Sequence, residues 1–527
     1  MLQQESLIEY GSRRVIITIT AIFCALLEIV DTTIVNVALN DMRGNMGATM
    51  SEIGWVITAY AIGNVIIVPM TSWLSQQFGR RNYFAVSIVI FTVASFLCGN
   101  SSTMWELVLF RFIQGVGGGA LLVTSQTIIT ESYPPEKRGT AQAIYGLGVI
   151  IGPTLGPPLG GWITDNYAWP YIFYINIPIG IIATLLTLQF VRSPKYGEKK
   201  SASEIDFLGI GLLAACVGSL QYVLERGQED DWFNDPMITL LAVTSALSLF
   251  FFIWRELTYK NPIVELRVLK NANLRVGTIL SFILGFGLYG STFIIPLYTQ
   301  GTLGWTATQS GMLMIPASLT TAFMMPIIGK LLEKGVPQQY LVAGGMFLFF
   351  VFCFWGYNVL TPADTGANNF FWMLNVRGIG MGLLFIPITT LALSSLKGQQ
   401  IGQGAAFTGM MRQLGGSFGV ALITTFMTRR TQMHRNDLVA NLNINNPDVI
   451  NRTTQMQHNF QGHGMDAGTA LKSGYQLLDY SVMKQAATMS YMDVFLYLGV
   501  MFLICIPFVL MVKGNKQKGK LDTSNMH

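Results

Sequence analysis

Fourteen stretches of about 20 mostly apolar residues follow one another along this chain, most of them separated by short connections. They lie near 15–39, 55–76, 83–100, 105–130, 139–163, 169–191, 205–224, 236–257, 274–298, 308–332, 339–360, 369–394, 404–428 and 491–512. No other feature narrows the possible folds as much. In hydrocarbon every backbone N–H and C=O must be satisfied within the chain, and long continuous apolar runs do that as helices. Charged residues make up 12% of the chain, where a soluble protein carries roughly a quarter. An all-α integral membrane protein is therefore expected, and a soluble multidomain protein is excluded.

The connections carry the orientation. With a cytoplasmic N-terminus, the inside segments hold Arg13, Arg14, Arg80, Arg81, Lys137, Arg138, Arg192, Lys195, Lys199, Lys200, Lys330, Lys334, Lys397 and nine others, 22 of the 33 basic residues, while the short outside loops hold only Arg43 and Arg226. An even number of spans returns the basic tail 513–527 to the same side. The polar start MLQQESLIEYGSRR leads into a run too long for a signal peptide and lacking a small-residue cleavage site, so a retained first span is expected. Three connections are longer: 192–204, 258–273 and the polar segment 429–490. In the last, Leu471, Tyr475, Leu478 and Val482 recur at helical spacing, which predicts an amphipathic helix on the outer face, either docking a partner or capping the protein itself. His434, His458 and His463 have no metal-like spacing there and are expected to be solvated. The five cysteines fall in apolar segments without a CxxC pair, so neither a disulfide framework nor a zinc site is expected.

The chain also repeats itself. Gly54, Pro69, Ser72 and Leu74 in the second run are spaced like Gly311, Pro326, Gly329 and Leu331 in the tenth. Each set sits in the second span of a six-span unit. The expected organisation is a half at 1–191, a linker with two inserted spans at 192–273, a second half at 274–512 containing 429–490, and the tail 513–527. Parallel halves around a central site are a plan for alternating access.

Ionisable groups at membrane depth are costly and mark either a pathway or a paired structural role. Five stand out: Glu28 and Asp31 in the first span, Arg111 in the fourth, Arg377 in the twelfth and Arg412 in the thirteenth. Glu28 and Asp31 share a helical face that Thr32 and Asn36 extend, so the stripe is expected to face an inter-half cavity. Carboxyl groups in such surroundings can take up and release protons, since burial penalises the charged form; the alternative is an ion pair that only joins helices. Arg111 lies about 9 Å from the outer end of its span and Asp31 about 12 Å from the outer end of its own, depths that allow the two to pair.

Two glycine clusters need a place. Gly115, Gly117, Gly118 and Gly119 lie mid-span without the Lys-Ser/Thr of a phosphate loop, so nucleotide drive is unsupported and close helix packing is expected. Gly152, Gly156, Pro157, Gly160 and Gly161 make the fifth span thin and bendable.

At these residues the chain resembles, over nearly its whole length, the fourteen-span drug:proton antiporters of the major facilitator superfamily, the EmrB/QacA group. Asp31-Thr32-Thr33-Ile34-Val35-Asn36-Val37-Ala38-Leu39 is similar to the group's first-span signature, whose Asp is implicated in proton coupling. Arg111-Phe112-Ile113-Gln114-Gly115 resembles the fourth-span motif, whose Arg is assigned to proton transfer. The Gly152–Gly161 pattern resembles the fifth-span motif of antiporters, and Trp169 to Pro178 fits the opening of the sixth span. The loop Ser72-Trp73-Leu74-Ser75-Gln76-Gln77-Phe78-Gly79-Arg80-Arg81 departs from the family's G-x-L-A-D-R-x-G-R-[RK]: Gln76 stands where the family has Asp, which puts its charge lock in doubt while Gly79, Arg80 and Arg81 remain as a cytoplasmic gate loop. Gln485-Ala486 through Tyr491-Met492-Asp493-Val494-Phe495 resembles the EmrB branch, whose members work with a periplasmic adaptor (EmrA-like) and an outer-membrane channel.

The resemblance implies a major facilitator fold of 14 transmembrane helices, two six-helix halves plus two inserted, in a bacterial inner membrane with both termini cytoplasmic. It implies proton-coupled export of small amphipathic compounds through Asp31, Glu28 and Arg111, with Thr32, Asn36 and Gln114 lining the substrate cavity. No cofactor is expected beyond the proton gradient, and nothing suggests nucleic-acid binding. A narrow exporter of a fatty acid or siderophore-like metabolite is the alternative. A membrane-embedded enzyme would need a nucleophile–base or metal constellation, and all four histidines lie in 429–490 or at the C-terminus.

Overall fold

The computed structural model describes residues 7–194, 205–360, 367–442 and 446–511. The tail 513–527 and the basic residues Lys195, Lys199 and Lys200 lie outside them. In order, the helices are α1 (Gly11–Met46), α2 (Met50–Phe78), α3 (Arg80–Gly99), α4 (Met104–Ser132), α5 (Arg138–Asn166), α6 (Tyr171–Tyr174), α7 (Asn176–Phe190), α8 (Phe207–Arg226), α9 (Pro236–Thr258), α10 (Ala272–Gly301), α11 (Ala307–Glu333), α12 (Gln338–Val359), α13 (Ala367–Ser394), α14 (Gln399–Ala440), α15 (Pro447–Gly462) and α16 (Ala467–Met511). Short 3₁₀ turns make up the remaining regular structure, and no strand occurs among the described residues.

Among the described residues, thirteen helical segments are long and apolar enough to cross a membrane. The expected span at 404–428 is not among them. It lies inside α14, which holds Arg412 and Gln413 mid-helix and Arg429 and Arg430 beyond, so its sequence lacks the apolar continuity of its neighbours. The expected sixth span is present as Tyr171–Phe190, in which α6 and α7 meet at Ile175 with the backbone still in the right-handed helical region.

Local chemistry sets the helix starts. α2, α4 and α11 all begin with capping boxes, Thr49 with Glu52, Thr103 with Glu106 and Thr306 with Gln309, in which each side chain satisfies an orphan N–H of the other. Prolines such as Pro69 in α2 and Pro153, Pro157 and Pro158 in α5 sit inside continuous helices. Packed neighbours re-satisfy the backbone groups such residues free.

Helices α1 to α5 and α7 pack on one another, as do α10 to α14 and α16; α5 on α11, α2 and α4 on α14, and α5 on α13 join the two groups. α8 packs on α2 and α14, and α9 packs on α8.

The 429–490 region is not a separate polar loop. Its first part continues α14, its middle is α15, and its last part is the beginning of α16, a single helix of 45 residues. The predicted apolar stripe holds only in its second half, where Val482 is buried and Leu478 half-buried; its first half is turned outward. Leu471 and Tyr475 are exposed, while Ala470, Gly474, Val482 and Ala486 are buried against α15 and α14. Small residues allow those helices to approach closely, and close approach rather than bulk selects the buried face. His434 is not solvated either: its Nε2 lies 2.8 Å from Asp493 Oδ2, beside the Arg430–Asp493 pair.

Candidate functional site

Asp31 lies in α1 with 0% of its surface exposed, and donors fill its carboxylate. Oδ2 accepts from Arg111 Nη1 of α4 at 2.5 Å; Oδ1 accepts from Gln114 Nε2 at 2.8 Å and from Asn176 Nδ2, the first residue of α7, at 2.9 Å. Gln114 is itself held, accepting from Arg111 Nη1 at 2.7 Å and donating to Ser95 Oγ of α3 at 2.8 Å. Arg111 also donates from Nε to the Val56 carbonyl and stacks over the Tyr60 ring, 4.3 Å from its centroid. The pairing expected from depth is therefore present, within a network that ties α1, α2, α3, α4 and α7 together. A fully satisfied buried network of this kind is rigid, and losing one member exposes the others to the full cost of burial.

Glu28, one turn earlier, faces elsewhere. The two carboxylates are about 60° apart around the helix axis, enough to reach different neighbours. Glu28 Oε1 accepts from Asn64 Nδ2 of α2 at 2.8 Å, and Oε2 is buried without a hydrogen-bond partner among the described residues. On this side it meets the field of Arg412 from α14. The expected polar stripe is thus split. Asn36 is exposed, and the half-buried Thr32 spends its hydroxyl on the Ile29 carbonyl of its own helix. Gln114 lines no cavity, because both ends of its amide are engaged around Asp31.

The glycine ridge of α5 explains how α1 is held. A Cβ at Gly156 would lie 2.0 Å from Thr33 Oγ1, one at Gly152 would lie 2.5 Å from Ile29 Cγ2, and one at Gly160 would lie 2.8 Å from Ile34 Cγ1. Gly161 faces Thr308 of α11, and Pro157 and Pro158 continue the ridge, with Pro158 against Gly311. The motif packs α5 flush on the part of α1 that carries Glu28 and Asp31. The cluster in α4 acts likewise, Gly115 and Gly119 meeting the backbone of α2 at Tyr60 and Asn64.

At the Arg80 end the two groups are latched. Gly79, at φ 81°, makes the sharp turn between α2 and α3. Arg80 is buried in an ion pair with Glu131 at the end of α4, whereas the Arg81 side chain is exposed and its backbone N–H donates to Ser193 Oγ. Gln76 accepts from Gln399 Nε2, in the first turn of α14, at 2.5 Å. Arg138 of α5 donates to the carbonyls of Leu393, Ser394 and Leu396 at 2.8–3.2 Å, capping the C-terminus of α13 where the helix dipole favours a cation. Thr140 of α5 bonds Glu333 at the end of α11. Cavities of about 240 Å³ and about 200 Å³ flank the Gln76–Gln399 bridge.

The remaining intramembrane arginines differ from each other. Arg377 of α13 donates from Nε to Ser291 Oγ at 2.8 Å and from Nη2 to Thr292 Oγ1 at 2.6 Å, both on α10. Arg412 lies over the Phe385 ring, 5.2 Å from its centroid, and its buried Nη1 has no hydrogen-bond partner among the described residues. Ser95, Asn176, Asn64, Tyr60 and Tyr145 were not singled out from the sequence. Asn64 and Asn176 carried a usable signal, each being an amide inside an apolar run. Among the described residues no group of three or more His, Cys, Asp or Glu could hold a metal.

Similarity places this arrangement. The chain is 34% identical over 514 residues to the multidrug export protein EmrB of Escherichia coli K12, covering 97% of this chain and 98% of that one. It is 33% identical over 498 residues to the fatty acid resistance protein FarB of Neisseria gonorrhoeae, covering 94% and 96%. The proton:xylose symporter XylE superposes with a TM-score of 0.57 at 16% identity, over 96% of this chain and 98% of that one, which shows a shared fold. With residues 21–420 matching the Major Facilitator Superfamily and near full-length similarity to EmrB, the chain belongs to that superfamily and to its EmrB branch.

Proposed function

We propose that this protein exports amphipathic organic compounds in exchange for protons, by alternating access across a bacterial inner membrane. The observation that carries the reading is the saturated Asp31–Arg111 pair at the centre of α1 and α4. Protonating Asp31 removes the charge that holds Arg111, Gln114 and Asn176 in one network, so proton arrival loosens the contacts between α1, α4 and α7. Glu28 lies on the same helix facing Arg412 and completes the proton-responsive set. The near full-length similarity to a multidrug export protein supports export and a broad substrate range.

In this reading the thirteen apolar spans and α14 make fourteen, arranged as two six-helix halves plus α8 and α9. The Arg80 end is cytoplasmic, both termini lie on that side, and the latched conformation faces outward. α16 supports a partner role: 45 residues span about 67 Å, against a hydrocarbon core of about 30 Å. Its outer half, with α15 and the end of α14, is the surface on which a periplasmic adaptor leading to an outer-membrane channel would sit. Similarity to FarB favours a second reading, export of fatty acids alone.

The test is efflux of a fluorescent lipophilic dye by wild type and Asp31→Asn, with and without a proton gradient. Gradient-dependent efflux lost in the variant at unchanged expression supports the reading. Efflux indifferent to the gradient refutes the coupling, and transport confined to fatty acids selects the second reading.

A further inference from the structure

The centre of the molecule holds a concentration of buried polar atoms without a well-aligned hydrogen-bond partner among the described residues. Between α1, α2, α5 and α14 these are Glu28 Oε2, Asn64 Oδ1, Tyr60 Oη, Tyr145 Oη and Arg412 Nη1. Tyr145 Oη lies within reach of Arg412, and Tyr60 Oη within reach of Asn64, but neither contact is aligned as a full hydrogen bond. A buried donor or acceptor left unmade costs about 1–3 kcal/mol, and a charged one more. Native cores avoid even isolated cases. Five at one place mark a surface prepared for polar groups from elsewhere.

The charges are sorted by helix group. Acceptors cluster on α1 and α2, where Glu28 and Asn64 already share one hydrogen bond. The donor Arg412 comes from α14, in a part of the chain without carboxylates: neither Asp nor Glu occurs from Ala272 to Leu332 or from Ala367 to Asn436. Arg377, in the same part, is satisfied by the hydroxyls of Ser291 and Thr292, whereas Nη1 of Arg412 is given no such partner. Tyr145 of α5 and Tyr289 of α10 lie in the fields of both Glu28 and Arg412. Tyr289 is 38% exposed although it sits mid-helix, so it forms the open side of the cluster. Aromatic faces complete the wall: Phe385 stacks beneath Arg412 and lies 6.3 Å from the Tyr145 ring. Gly118 lets Tyr60 and Glu28 close onto α4, since a Cβ there would lie 2.6 Å from Tyr60 Oη and 3.3 Å from Glu28 Cγ.

We propose that Glu28 and Arg412, with Tyr145 and Tyr289 beside them, form a substrate subsite for zwitterionic aromatic amphiphiles, the ammonium group going to Glu28 and Asn64 and the carboxylate to Arg412 and Tyr145. Such a ligand satisfies the unpaired atoms on both helix groups at once. A cation leaves the guanidinium unpaired, and an anion faces the Glu28 carboxylate. The subsite deepens the export reading and rests on it for its role as a substrate site, but binding can be measured without transport.

The experiment uses the purified full chain in lipid nanodiscs and three probes sharing one aromatic body: biphenylalanine (zwitterion), 2-(biphenyl-4-yl)ethylamine (cation) and 3-(biphenyl-4-yl)propanoate (anion). Wild type is expected to bind the zwitterion roughly tenfold tighter than either singly charged probe, the scale of one charged hydrogen bond. Arg412→Gln lowers zwitterion binding to the level of the cation, and Glu28→Gln lowers it to the level of the anion. Tyr145→Phe keeps the packed ring and removes only the hydroxyl. It weakens zwitterion and anion several-fold and leaves the cation unchanged, which keeps the test decisive should the charge variants fail to fold. Equal binding of the three probes by wild type, or Tyr145→Phe weakening all three alike, overturns the proposal. Loss of dye efflux with the probe ranking intact would count against the export reading alone.

Discussion

Asp31 and Arg111, 80 residues apart in sequence, meet at 2.5 Å with the carboxylate entirely buried, and the remaining hydrogen-bonding capacity of the aspartate is taken by Gln114 and Asn176. Glu28, three residues earlier, keeps one oxygen without a hydrogen-bond partner among the described residues. Two carboxylates on one helix thus occupy opposite situations, one saturated and one open.

The saturated pair predicts a structural cost on top of any loss of transport. Breaking a buried ion pair by removing one partner costs about 3–5 kcal/mol, because the other charge stays buried alone. Asp31→Ala and Arg111→Ala are each expected to lower the thermal unfolding temperature clearly. The double variant Asp31→Ala/Arg111→Ala should lose less than the sum of the two, as read by a double-mutant cycle in detergent. Strict additivity would show that the pair is not coupled.

The Arg138 cap on α13 predicts a conformational shift. A hydrogen bond from a charged donor contributes about 1.5–3 kcal/mol, so losing this fan of bonds should favour the state open at the Arg80 end by roughly tenfold or more. With the native cysteines replaced, a Thr127→Cys reporter, buried beside the α14 seam, is expected to react faster with maleimide when Arg138→Ala is added. An unchanged rate would mean the cap does not hold that end shut.

Gln76 predicts a graded version of the same result. Its bond to Gln399 joins α2 to the first turn of α14. Gln76→Ala removes the bond and should speed labelling of the same reporter. Gln76→Asp restores a carboxylate at the positive end of the α14 dipole, an interaction of about 0.3–1 kcal/mol, and should label no faster than wild type.

The α5 ridge predicts steric sensitivity at chosen glycines. Overpacking of this kind costs about 1–3 kcal/mol. Gly156→Ala, with its Cβ 2.0 Å from Thr33 Oγ1, should destabilise the protein and slow transport. Gly344→Ala, where nothing lies within 4 Å, should be silent in the same unfolding and efflux assays.

Much of this was legible in the sequence because membrane insertion is read locally. An apolar run reports its own helix, and a charge inside it reports its own burial. Hence the helices at 15–39 and 105–130, the pairing of Asp31 with Arg111 and the packing role of Gly156 could be anticipated. Asn176 and Asn64 were missed because a single amide in an apolar run does not say which partner it will meet. The span at 404–428 was the weakest, since buried Arg412 and half-buried Gln413 make α14 as polar as a loop when averaged over a window.

The sequence by itself determined that the chain is a bundle of membrane helices with a few costly charges near its middle, because hydropathy and helical period are properties of neighbouring residues. Only the tertiary structure decided that Gln114 belongs to the Asp31 network rather than a cavity, that Gln76 meets Gln399, and that Arg412 packs over Phe385. Those facts depend on how helices far apart in sequence are rotated and offset against one another. Glycine ridges and small-residue seams set that rotation by close packing, and no local pattern encodes the partner's position.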